Sequence, residues 1–109
     1  MSYKWPHKDP DEVLDYSVDW SRFLGDATIS SVAWYVDDAD DVKTSVSDVA
    51  DTTINGLITK YAGITNTNTV ATIRLSTGTN NVQYKIYCQM TDSDGLVSER
   101  VIRLRVKEN

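Results

Sequence analysis

Few of the residues able to do chemistry in this chain are spaced to do it. His7 is the one histidine, and imidazole is the ordinary general base near neutral pH. It lies between Pro6 and Lys8 in a charged arm, away from any Ser or Cys that a packed site would orient. A nucleophile needs a positioned base within hydrogen-bond reach, so His7 is not expected to be catalytic. Cys88, the one cysteine, stands between Ile86 and Met90 on the apolar side of an alternating run, where a thiol packs as a small hydrophobe. A single Cys excludes an intrachain disulfide, and with a single His it excludes the common zinc sites. Sixteen acidic residues supply carboxylates, but paired carboxylates for glycoside hydrolysis need a cleft built by large loops, for which 109 residues leave little room. Two acidic stretches offer oxygens to a hard cation. Asp37-Asp38-Ala39-Asp40-Asp41 lacks the spacing, the Gly and the trailing Glu of a calcium loop and reads as a solvated strand end. Thr91-Asp92-Ser93-Asp94-Gly95 is equally a hairpin turn, in which Asp and Ser bond the local backbone and Gly takes positive φ. No catalytic residue, metal ligand or cofactor is expected.

The residues that remain are suited to contact. Tyr3, Trp5 and Pro6 fall in a proline-bearing, charged opening segment, and large rings there seek cover against something. Arg100, Arg103, Arg105 and Lys107 crowd the end of the chain. Arg103 and Arg105 share an outward face, where they either guard an edge strand or meet an acidic partner subunit. With the acidic Asp37–Asp41 stretch they make a two-sided charge distribution suited to contacts between copies. Eleven basic against sixteen acidic residues give a net charge of -5, which repels phosphate backbones and argues against nucleic-acid binding. No apolar run reaches the roughly 18 residues of a membrane span, and the opening residues do not read as a signal peptide. No small-molecule substrate is expected.

The elements that must position these residues are strands. Pro6 and Pro10 set residues 1–13 apart as an extended arm, and residues 14–109 as the domain. The arm is expected to be mobile in the isolated protein and to order on a neighbouring chain, with packing back on its own domain as the alternative. Leu14, Tyr16, Val18 and Trp20 alternate with polar residues as a half-buried strand. Ser21–Asp26 is a turn holding one helical turn. Thr28–Val36 is the second strand, with a bulge near Ser30-Ser31. Thr44–Ile54 reads as a weak third strand, Asn55-Gly56 as a turn, Leu57–Tyr61 as a short or edge strand and Gly63–Asn68 as a polar loop. Ala71, Ile73 and Leu75 share a face. Val82, Tyr84, Ile86, Cys88 and Met90 form the longest alternating row, and Ile102, Leu104 and Val106 close the domain. The spacing predicts an all-β, antiparallel two-sheet sandwich of about seven strands, centred on Trp34 and the Tyr84–Met90 row.

Two segments resemble a known family. They are Lys4-Trp5-Pro6-His7-Lys8-Asp9-Pro10-Asp11-Glu12-Val13-Leu14-Asp15-Tyr16 with Val18-Asp19-Trp20, and the C-terminal run of Gly78–Tyr84, Thr91–Gly95, Glu99-Arg100 and Ile102–Val106. The chain is similar to small tailed-bacteriophage virion proteins described as fiber–tail adaptor or neck-and-tail structural proteins of Ig-like fold. Ile29–Trp34 fits their pattern, and Asp37–Asn68 fits it least. The resemblance implies a non-enzymatic subunit assembled in the host cytoplasm into the virion tail or neck. Its partners would be other virion structural proteins, in a symmetric multi-copy ring. A capsid decoration or head-fiber protein of the same fold is the alternative, and a carbohydrate-binding or adhesion Ig-like module is one of another class. The C-terminal half also resembles bacterial Ig-like and PKD-type modules. Trp34 and Cys88 stand where an antibody domain has its core Trp and second Cys, but the first Cys and the Tyr two residues before Cys88 are missing.

Overall fold

Period-two alternation becomes β-structure wherever the sequence displays it. A computed structural model describes residues 2–47, 50–65 and 69–108. The strands are β1 (Ser2–Lys4), β2 (Val13–Asp19), β3 (Ile29–Asp37), β4 (Lys43–Ser45), β5 (Thr52–Ile54), β6 (Leu57–Thr65), β7 (Val70–Thr77), β8 (Gln83–Asp92) and β9 (Val97–Arg105). One helical turn, α1 (Ser21–Leu24), lies between β2 and β3. One sheet runs β1-β9-β8-β3-β4 and the other β2-β7-β6-β5. The β9-β8-β3 and β2-β7-β6 sets match the G-F-C and B-E-D strands of an immunoglobulin sandwich, with β4 in the C′ place.

The core lies between the sheets. Tyr84, Ile86, Cys88 and Met90 face inward from β8, and Ile102 and Leu104 from β9. Trp34 on β3 stands opposite Cys88, and Ala71, Ile73 and Leu75 come from β7. Each fully buried aliphatic side chain contributes about 1.5–3 kcal/mol of transfer free energy. The bulge expected near Ser30-Ser31 is present, as the β3–β8 register shifts between Ile29 and Ser31. Asn55 (φ 51°) and Gly56 (φ 83°) form the β5–β6 turn, both in the left-handed region. The antibody-type Tyr is absent, but Tyr84 does comparable work from two residues earlier in β8. Its hydroxyl donates to Asn55 O (2.7 Å) and accepts from Thr79 N (2.8 Å), tying β8 to two turns.

Four expectations change. The Thr44–Ile54 strand is two short strands in different sheets, because the chain crosses between layers after Val46 N bonds Trp34 O (3.0 Å). Residues 48–49 of that stretch lie outside the described residues. Leu57–Tyr61 is not an edge: β6 is paired by β5 on one side and β7 on the other, and it runs on to Thr65. Pairing of Gly63 with Thr72 and Ile64 with Ala71 overrides the loop-like composition there. Residues 66–68 of the expected loop lie outside the described residues. Among the described residues there are nine strands where about seven were expected, and three of them, β1, β4 and β5, are three-residue pieces.

The arm takes the alternative weighed for it, packing back on its own domain. It is extended, but it lies along its own domain. Ser2–Lys4 pairs in parallel with Val101–Arg103, and Trp5 N and Lys8 N donate to Arg103 O and Arg105 O at 3.0 Å each. Proline's missing amide donors leave this one-sided pairing intact. The edge-guarding reading of Arg103 and Arg105 is therefore corrected, because β9 is an interior strand covered by β1.

Candidate functional site

Trp5 enters the gap between the open edges of the two sheets. Its ring stacks on Tyr16 of β2 (centroids 4.7 Å apart) and reaches Trp34 of β3 at 6.4 Å. The half-buried indole thus joins both layers. Beside it, Lys4, Ser17, Val18, Asp19, Arg100 and Ile102 help line a groove of about 220 Å³. Outside it, Lys4, Trp5, Pro6 and His7 border an open hollow of about 470 Å³, so one face of the indole edge still meets solvent. Tyr3 is described as a backbone position opposite Ile102, and its side chain lies outside the described part.

Lys8 pins the arm, and nothing in the sequence distinguished it from a solvated lysine. The residue is fully buried. Its Nζ donates to Thr77 O (2.7 Å) and Asp9 O (2.9 Å). Burial pushes its pKa below the ordinary lysine value, against the pull of Glu12, Asp9 and Asp11. The next residues form a tight turn, in which Asp9 Oδ1 accepts from Asp11 N (2.8 Å) and Glu12 Oε1 from Asp9 N (2.9 Å).

The outer face of the five-stranded sheet collects the remaining candidates. Tyr35 of β3 pairs with Tyr87 of β8. Lys43 of β4 lies over both rings, 4.7 Å and 4.6 Å from their centroids, and its Nζ sits 2.6 Å from Glu99 Oε2. Burial, then the neighbouring Asp37 carboxylate, pushes the Tyr87 phenol up to about 12. Next to this aromatic row, Arg103 pairs with Lys4 on one side and Lys85 on the other. Arg103 is exposed, whereas Arg105, two residues on, is half-buried. Arg103 and Lys85 share a cleft of about 590 Å³ with Asp37, Asp38 and Asp41.

The two acidic stretches lie at opposite ends of β8, the first beside Gln83 and the second beyond Asp92. In each, a carboxylate holds its own turn. Asp38 Oδ1 accepts from Asp40 N (2.8 Å) and Val42 N (3.0 Å). Asp92 Oδ1 accepts from Asp94 N and Leu96 N at 2.9 Å each. Among the described residues no group of three or more His, Cys, Asp or Glu converges as a metal site. Cys88 is fully buried in the core, and burial pushes its thiol up to about 12, with the Trp20 indole and Arg100 pulling the other way. What this arrangement offers is contact: two tyrosines under a lysine, a basic row, an acidic turn and a ring-bearing arm.

No curated protein matches the chain. A family model described as the podophage GP4 fiber-tail adaptor protein gp77 matches residues 8–105, from the buried Lys8 to the last residue of β9. That match covers β2 to β9, and the chain belongs to the podophage fiber-tail adaptor family.

Proposed function

We propose that the chain is a non-enzymatic structural subunit of the virion tail that links tail or neck proteins to fibers, as one of several copies in a ring. The family match across the sandwich is the observation that carries this reading. The surface supports it. Pro6 and the exposed side of Trp5 follow the edge strand β1, and Arg103 and Arg105 lie on its neighbour β9. These residues, with Tyr3, are the proposed partner contacts. The mechanism is geometric: a rigid sandwich 41 Å long holds its neighbours at a set spacing. Its paired sheets resist bending, while charged faces steer the docking of adjacent subunits. The assembly site in the host cytoplasm belongs to the same proposal.

The test is loss of the gene product in an infected host. Particles lacking the chain should package DNA and lack fibers, and the purified protein added back should restore fiber attachment. Fibered, infectious particles formed without the chain would overturn the role.

A further inference from the structure

Acid and base, expected on two sides of the molecule, meet in one cleft of about 590 Å³. Asp37, Asp38 and Asp41 line it from the end of β3 and the turn that follows, and Lys85 of β8 and Arg103 of β9 line it from the neighbouring strands. The two sets do not neutralise each other, because no ion pair joins them among the described residues. Within each set, like charges stand together. Lys85 and Arg103 are register partners and both exposed, and directly opposed like charges destabilise a sheet. On the acidic side, Asp37 Oδ1 is buried without a hydrogen-bond partner, which leaves that carboxylate incompletely compensated. The acidic wall is also preformed, since Asp38 Oδ1 accepts from Asp40 N and Val42 N and fixes the turn.

Such a cleft selects by the pattern of signs. A phosphate backbone meets the acidic wall and a wholly basic segment meets the basic one, so neither suits it. A sugar would stack on a bare ring, but Lys43 already lies over Tyr87, 4.6 Å from its centroid. We infer that the cleft receives an extended segment of a neighbouring virion protein that carries a basic and an acidic side chain on one face, the basic one against Asp37 and Asp41 and the acidic one against Lys85 and Arg103. In an extended chain, side chains two residues apart share a face at a spacing of about 7 Å, so one strand presents both charges together. Each charge of the segment then meets the wall that lacks its counterpart, and single-sign competitors are repelled by the other wall. The choice of a protein as occupant rests on the adaptor reading above.

Nuclear magnetic resonance titration of the purified full chain tests it, with a synthetic peptide in which Lys and Glu alternate with one Ser between them. The amide signals of Asp41, Lys85 and Arg103 should shift, and peptides of the same length carrying Lys alone or Glu alone should bind about tenfold more weakly. Removing one wall should remove this preference. Lys85→Gln with Arg103→Gln should let the Lys-only peptide bind at least as tightly as the mixed one, and Asp37→Asn with Asp41→Asn should do the same for the Glu-only peptide. Unchanged circular dichroism spectra separate a lost wall from a lost fold, and the comparison of the three peptides on the wild-type chain needs no variant. No shift with the mixed peptide, a single-sign peptide that binds the wild-type chain as tightly, or folded variants that keep the wild-type order would overturn the contact. A chain that fails these titrations and still restores fibers to particles would lose the cleft contact and keep the adaptor role.

Discussion

Trp5 shows how one side chain can serve either a partner or its own core. Stacked on Tyr16 and close to Trp34, it closes the seam between β1 and β2. Removing a half-buried indole forfeits its burial and ring stacking, so Trp5→Ala should lower the stability of the isolated chain by about 2–3 kcal/mol. Chemical denaturation measures this, and an unchanged midpoint would return Trp5 to a purely intermolecular role. Cys88 marks the inward row of β8 from the other side. A buried thiol whose pKa is pushed up to about 12 holds almost no thiolate at neutral pH. Thiol labelling of the native protein at pH 8 should therefore be at least about a hundredfold slower than in denaturant. Equal rates would mean that the row faces outward and that the register is wrong.

At the scale of elements, the turns set the strand registers. Gly78 follows β7 at φ 102°, where a side chain is strained, and an added Cβ would lie 2.7 Å from Val106 Cγ2. The same turn binds Tyr84 through Thr79 N and receives Lys8 through Thr77 O. Gly78→Ala should thus cost about 2–3 kcal/mol, more than a loop substitution without strain. A thermal transition within a degree or so of wild type would show that the β7–β8 turn relaxes freely. The arm depends on this turn, because the lysine that pins it takes a carbonyl of the turn. Loosening the turn should also loosen residues 2–8, which amide hydrogen exchange at Trp5 and Lys8 would report.

For the whole molecule, titration runs against stability on the alkaline side. Cys88, Tyr16 and Tyr87 are all pushed up to about 12 in the folded chain, chiefly by burial, from ordinary values of 9.0, 10.0 and 10.0. The unfolded chain loses these protons first, so the stability they lend is full below about pH 9 and is lost as the pH climbs to 12. Lys8 opposes this, because its lowered folded pKa makes the chain more stable as the pH rises toward 10.5. Its effect ends at 10.5, leaving the fall unopposed above that. The melting temperature should drop most steeply between pH 10.5 and 12, and a flat profile there would refute the burial of these three groups.

The sequence by itself determined the layers. Alternation at Val82–Met90, Ala71–Leu75 and Ile102–Val106 is a local property of the chain, and a period of two admits one burial pattern per strand. Asn55-Gly56 and the Ser30-Ser31 irregularity were legible for the same reason: φ preference and a break in period act within a few residues. The phage resemblance was legible too, in motifs at both ends of the chain. What local pattern does not carry is which strands become neighbours. Only the tertiary structure decided that β6 is interior, that Thr44–Ile54 divides between the sheets, and that β1 covers β9, since each depends on partners distant in sequence. It also decided the surface. Lys4, Lys85 and Arg103 are unremarkable as single residues, and they become a row because pairing across three strands overcomes the separation of 81 and 18 positions that the chain puts between them. Lys8 is hidden for the same reason, because the carbonyl that holds it comes from the far side of the fold, 69 residues away.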